Sequence, residues 1–346
     1  MRSMLSRTAA VVVALSMAAT FSACTKKNST AESGGSGSAA GGTIKVAFVP
    51  KLQGIPYFEA MNAGGKEAAS KLSGVEWLYQ GPTSADAAAQ SDIVNSYIQQ
   101  KVNALFIAPN DPDSMAPLIK QGVDAGIKVG TSDTDAPNSA RELMVLMASA
   151  EGIGQADTDA LMKAMGGKGK FAIVSCGETA AQLNQWIAEI KKYSQSKYPD
   201  AKLVDTVYAG EDVAKATQMG TDLMNAHPDL KGFIGVCSTA GPGVAQAVQN
   251  AGKIGKVLTV GMGTPNDMKK YLDNGAASAG VLWDAKALGC LTAWAGQQLA
   301  QNKQLQATQS VSECGLDGVT YDSSTKILLM GKPLTFTKET AGNYNF

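Results

Sequence analysis

The stretch VAFVPKLQGIPYFEAMNAGGKEAA, Val46 to Ala69, decides how the chain is read. Its first four residues are apolar without alternation, the pattern of a strand buried on both faces of a parallel sheet. Pro50, Gly54 and Pro56 then break the run, and from Pro56 onward apolar and small residues recur at helical spacing. A strand, a short loop and a helix make the first half of a βαβ unit. The loop and helix start carry Lys51 and the adjacent rings Tyr57 and Phe58. In open α/β sheets the ligand crevice lies beyond the carboxyl ends of the strands, so these side chains are expected at such a crevice.

The same rhythm runs outward from this stretch. TIKVAFV, GVEWLY, NALFIA, IKVGT and LMVLM read as strands, with helical segments starting near Pro56, Asp86, Ser114 and Gly152 between them. KFAIVS, KLVDTVY, KGFIGV, KVLTVG and SAGVLW continue it, separated by helices such as AAQLNQWIAEIKKYSQSK (residues 180–197). Ten strands would make an uncommonly long open sheet, so two parallel sheets of about five are expected, dividing near ELMVLMASAEGIGQ (residues 142–155). A chain of 346 residues with 45% hydrophobic content is long enough for two cores.

Charge and composition exclude several functions. Lys+Arg and Asp+Glu both number 30, which leaves no electrostatic footprint for nucleic acid. The single histidine, His227, precedes Pro228 at a helix end and rules out a multi-histidine metal site or a histidine-based acid–base pair at the crevice. GGKGK (residues 166–170) precedes a strand and lacks the Walker spacing, so it is a turn. No cofactor site is expected.

The N-terminus reads as an export segment: Arg2 and Arg7, a short apolar run, then small residues leading to FSAC. This resembles a bacterial lipoprotein signal (residues 1–23) with Cys24 as the lipidated first residue. Residues 24–42 are Gly/Ser-rich and read as a flexible linker with a reach of roughly 23 Å. Cys176, Cys237, Cys290 and Cys314 permit disulfides in an exported protein; spacing leaves three pairings open, beside free buried thiols.

The residues that follow each strand form a chemical inventory. After the first come Lys51, Tyr57 and Phe58; after IKVGT, Asp133 and Asp135. In the second half Gln182 and Asn184, Ser238, and Trp283 occupy the corresponding positions. Aromatic faces suit the C–H sides of a sugar, while Asp, Asn, Gln, Ser and Lys pair its hydroxyls as donors and acceptors. A neutral polyhydroxylated ligand fits. Beyond the export segment the chain has one arginine, Arg141, which disfavours a carboxylate or phosphate ligand. Each residue also has a structural role to weigh: Tyr57, Phe58 and Trp283 as core, Asp133 and Asp135 as turn and cap residues. Both acids lie on one short loop with no opposed partner, which argues against a glycosidase pair.

From Thr43 to Phe346 the chain resembles the type I periplasmic sugar-binding proteins of ABC importers. AFVPKLQGIPYFEAMNAGGKEAASKL and GTSDTDAP carry the likeness, and VPKLQG, YQGPT, NQW, GTPNDM, LWD and FTKETAGNYNF resemble its autoinducer-2 and rhamnose-binding branch. The resemblance implies two doubly wound parallel-sheet lobes joined by a three-strand hinge. Crossings are expected near residues 147–150, 281–284 and 303–310, giving one lobe of 43–148 with 283–305 and another of 149–282 with 306–346. It also implies ligand contacts from Lys51, Asp133 and Ser238, and a binding role rather than catalysis. Where autoinducer-2 binders carry an Asp-Gln pair ahead of NQW, this chain has Gln182 and Leu183; where ribose-type binders place an aspartate, it has Gly263. Another sugar or sugar alcohol is therefore expected, with a membrane permease as partner, a lipid anchor and a monomeric state. The alternative is a sensory binding protein presenting a sugar-like signal to a receptor.

Overall fold

The computed structural model describes residues 42–346; the export segment, Cys24 and all but the last linker residue lie outside the described residues. The chain begins with β1 (Ile44–Val49), α1 (Pro56–Lys71), β2 (Val75–Tyr79), α2 (Ala87–Gln99), β3 (Ala104–Ile107) and α3 (Pro112–Asp124). Two more strands follow, β4 (Lys128–Ser132) and β5 (Leu143–Ala148). The second series is α4 (Ala150–Met165), β6 (Gly169–Ser175), α5 (Ala181–Lys197), β7 (Ala201–Tyr208), α6 (Val213–Ala226) and β8 (Leu230–Val236). It continues through α7 (Ala240–Asn250), β9 (Leu258–Gly261), α8 (Pro265–Asn274) and β10 (Ala279–Leu282). Helix α9 (Ala285–Ala300) and the short strands β11 (Thr308–Val311), β12 (Leu316–Asp322), β13 (Ile327–Gly331) and β14 (Leu334–Phe336) complete it.

Two sheets result. The first has the order β11-β12-β13-β5-β4-β3-β1-β2 and the second β14-β10-β9-β8-β6-β7, with antiparallel pairing only at β11–β12–β13 and at β14. Winding reverses between β1 and β3 in one sheet and between β6 and β8 in the other, and the crevice of a doubly wound sheet opens at such points. Alternation along β1 sends Val46 and Phe48 to the core that continues into the second lobe, and Ala47 and Val49 to the core under α2 and α3.

The chain passes from the first sheet to the second after β5, returns after β10, and passes over a third time at Lys332–Pro333. The third passage falls later than residues 303–310, because β11 to β13 extend the first sheet, β13 running parallel to β5. Residues 308–331 therefore belong with the first sheet, where the sequence placed them with the second lobe.

Helices α1 and α9 approach closely at two glycines: a Cβ on Gly64 would collide with the Lys286 carbonyl oxygen, and one on Gly289 with that of Met61. This contact sets α1 and α9 against each other, and the rings Tyr57 and Trp283 lie at their N-terminal ends. Two disulfides are present, Cys176–Cys237 and Cys290–Cys314. The first ties together the carboxyl ends of the paired strands β6 and β8; the second ties α9 to the turn after β11. No helix among the described residues is long and apolar enough to cross a membrane.

Candidate functional site

A narrow cavity lies between the carboxyl ends of the two sheets, lined by residues of both. The first sheet contributes Lys51, Tyr57, Phe58, Asp133 and Thr134. The second contributes Leu183, Trp186, Glu211, Cys237, Ser238 and Met262, with Leu282 and Trp283 at the passage back.

Asp133 is the polar centre of the first wall. It follows β4 with φ of 72°, a left-handed conformation that aspartate tolerates better than most residues and that still costs on the order of 1 kcal/mol. One carboxylate oxygen accepts from the Tyr57 hydroxyl at 2.6 Å and the other from the Thr134 hydroxyl at 3.0 Å. The Trp283 indole N–H donates to the Tyr57 oxygen at 3.1 Å, so a chain of donors runs from Trp283 through Tyr57 to Asp133. Burial, reinforced by the neighbouring Asp133 charge, holds the Tyr57 phenol well above its usual range and keeps it a neutral donor.

Lys51 is held from behind. Gln90, fully buried in α2, donates to the carbonyls of Pro50 and Ala108 at 2.9 and 2.7 Å, joining the ends of β1 and β3. Asn110 donates to the Lys51 carbonyl at 2.8 Å, and its own backbone N–H donates to Gln90. The Lys51 ammonium lies 3.9 Å from Glu211 of the opposite wall. Burial raises the Glu211 carboxyl, an effect that Lys51 opposes and Asp133 adds to.

Rings span the cavity. Phe48 packs against Phe58, Phe58 against Tyr57, Tyr57 edge-on against Trp283 at 5.8 Å, and Trp283 against Trp186 at 5.5 Å. These aromatic contacts carry the core of one lobe into the other.

Of the residues picked out from the sequence, Lys51, Tyr57, Phe58, Asp133, Ser238 and Trp283 come together around the cavity. Asp135, Gln182 and Asn184 are not among its lining residues. Asp135 is taken up by its own loop, accepting from the Thr131 hydroxyl at 2.7 Å, the Ala136 N–H at 2.8 Å and the Arg141 guanidinium. Arg141 also donates to the Thr325 carbonyl, so this pair fastens the loop to the edge of β13 and is spent structurally. Gln182 is buried in the first turn of α5, and Asn184 donates to the Glu178 carbonyl. Glu211, Thr134, Trp186 and the supporting Gln90 were not found from the sequence. Cys176, Glu211 and Cys237 cluster closely, but both sulfurs are in one disulfide and offer no thiolate to a metal ion.

Residues 46–304 match the family described as periplasmic binding protein domain. A D-ribose/D-allose-binding protein of Pseudomonas aeruginosa is 26% identical over 68% of this chain and 75% of its own length. Among solved structures, LsrB from Clostridium saccharobutylicum in complex with AI-2 is similar at a TM-score of 0.81 and 29% identity, covering 88% of this chain and all of that one. A solute-binding protein of an ABC transporter from Clostridium phytofermentas, with bound L-rhamnose, has a TM-score of 0.81 and 27% identity, covering 87% of this chain and 98% of its own.

Proposed function

The chain belongs to the periplasmic binding protein domain family, and from that premise we propose that it is the sugar-capturing component of an ABC importer, closing two lobes on a small neutral sugar or sugar alcohol. One observation carries this reading: a cavity between the two sheets combines aromatic walls with a carboxylate, an ammonium and hydroxyls contributed from opposite sides. Buried ligand hydroxyls need partners in both donor and acceptor senses, and those groups provide them.

The lobes are proposed to open and close about the three passages of chain between the sheets, as hinged binding proteins do. Asp133 and Lys51 grip hydroxyls, and Tyr57, Phe58 and Trp283 cover the ring. A micromolar dissociation constant corresponds to about 8 kcal/mol. Hydrogen bonds to charged groups, at about 1.5–3 kcal/mol each, reach that after the cost of closure with a few contacts and aromatic packing. The only arginine of the described residues is committed to Asp135, which supports an uncharged ligand. We read the protein as a binding protein and not an enzyme, tethered outside the cytoplasmic membrane through Cys24, monomeric, and delivering its ligand to a permease.

The similarity to an AI-2 complex supports a second reading, in which a sugar-like signal is presented to a receptor. Both are tested together by thermal-shift and calorimetric titration with tetroses to hexoses, deoxy-sugars, alditols and AI-2. A ligand stabilises only the state that binds it, so binding by a neutral sugar or alditol appears as a rise in melting temperature. Binding of AI-2 alone would favour the signalling reading, and binding by none would overturn both.

A further inference from the structure

Glu211 lies between β7 and α6, where the sequence reads as a turn. The residues on either side fix it. Gly210 adopts a left-handed φ of 69° and its N–H donates to the Cys176 carbonyl at 3.1 Å, while the Asp212 side chain caps α6 by accepting from the Lys215 N–H. The Glu211 carboxylate lies within 4.8 Å of both sulfurs of the Cys176–Cys237 disulfide, so a crosslinked loop pair backs it. Its position is thus set in advance by backbone and disulfide.

Its bonding is the unusual part. The Glu211 side chain is 9% exposed, yet it accepts no hydrogen bond from any described residue, and its nearest cation, Lys51, is 3.9 Å away. A buried ion pair offsets its desolvation only with close geometry and satisfied lone pairs, and this pair has neither. Asp133 on the facing wall has both oxygens bonded. Trp186, beside Glu211 in the second wall, has a buried indole N–H without a partner. The second wall therefore holds one acceptor whose only partner among the described residues is a distant ammonium and one donor without a hydrogen bond.

We propose that Glu211 is the residue by which the second lobe recognises the ligand, accepting hydroxyl hydrogens from a neutral polyhydroxylated molecule held on its other side by Asp133 and Lys51. This rests on the sugar-binding reading. It assigns specificity to the end of β7, with the ligand required to present at least one hydroxyl there. Burial, with Asp133 adding to it, favours the neutral form of Glu211 and Lys51 opposes that; in either form the carboxyl keeps an oxygen that accepts hydrogen bonds. Where Lys51 holds it ionised, its hydrogen bonds to ligand hydroxyls are charge-assisted, the stronger kind.

The test titrates the wild-type protein, Glu211→Gln and Glu211→Asp by calorimetry with aldoses, ketoses and alditols of four to six carbons, and with the deoxy analogues of whichever binds. Ligand-free melting temperatures report folding. Expected are a loss of affinity of about ten- to a hundred-fold in Glu211→Gln, the span of one charged hydrogen bond, at an unchanged ligand-free melting temperature, and partial retention in Glu211→Asp. One deoxy analogue should bind wild type poorly and lose little more in Glu211→Gln, because the hydroxyl and the carboxylate are one contact. Unaltered affinity in Glu211→Gln, or additive losses for every deoxy position, would overturn the inference while leaving the sugar-binding reading intact. Absence of binding by wild type to the whole set would overturn both.

Discussion

The two walls of the cavity are built differently. On the first, Asn110 holds the backbone of Lys51, whose ammonium reaches across to Glu211, and Asp133 is bonded to Tyr57 and Thr134. On the second, Leu183, Trp186, Cys237 and Met262 give an apolar surface in which Glu211 stands unbonded. The contrast continues inward: among the described residues, the buried side chains with an unpartnered polar atom are Asp157, Trp186 and Gln309, and the first two belong to the second lobe. A wall whose polar groups hold one another is preorganised and loses little freedom on meeting a ligand. A wall with unpaired groups gains its partners only when the ligand arrives. On the proposed reading, the first lobe receives the ligand and the second closes on it.

Trp283→Ala attacks the place where the walls meet. The ring is buried against Tyr57 and Trp186, so its loss should cost about 3–5 kcal/mol of stability as well as ligand affinity. Urea unfolding with and without ligand measures both. A small change in both would mean that the aromatic chain does not join the lobes.

Asp133→Asn sharpens the comparison within one loop. Removing the charge while keeping an acceptor for Tyr57 should weaken ligand binding by about 1.5–3 kcal/mol, or roughly ten- to a hundred-fold. Asp135→Asn, two residues along, should weaken the Arg141 contact and lower the melting temperature while leaving the dissociation constant within about three-fold, because its bonds stay inside the loop. Equal effects of the two substitutions on affinity would erase the distinction.

The mildest effect concerns the interior of the second lobe. Unfolded, Asp157 ionises near its ordinary 3.8; folded, burial without a partner holds it protonated to higher pH. The folded state therefore binds the extra proton between the two values. The contribution of Asp157 is full below the unfolded value and is lost as pH rises through the folded one. Asp157→Asn should flatten the decline in unfolding free energy as pH rises above 3.8. An unchanged slope would show that Asp157 finds a partner.

Much of this was legible in the sequence because strand ends are. Lys51, Tyr57, Asp133 and Trp283 follow apolar runs, and a parallel sheet delivers such residues to one edge. What separates Asp133 from Asp135 is the partner each meets: Asp135 is held by Thr131, Ala136 and Arg141 of its own loop, whereas Asp133 is held by Tyr57, which only the fold brings near. Glu211 was hidden by its neighbours, since a Gly before it and a cap after it look like an ordinary turn, and its isolation appears only when Lys51 stands opposite. Gln90 reads as one polar residue on a helix until β1 and β3 are side by side. The late passage at Lys332–Pro333 was missed because β11 to β13 are short strands in antiparallel hairpins, outside the helix-and-strand rhythm. Disulfide pairing, open on spacing, follows from the register that sets Ser175 beside Val236.

The bare contact of α1 with α9 reaches further than its place in the fold. Gly64 and Gly289 let two backbones touch, and the cavity rings Tyr57 and Trp283 stand at the N-terminal ends of the same two helices, about two turns from the contact. A methyl group added at either glycine would act as a shim under a lever, pivoting Tyr57 away from Trp283 without altering any atom the sugar meets. Tolerance to mutation at this seam is accordingly set by the spacing of two backbones, although its consequence would be read in the cavity.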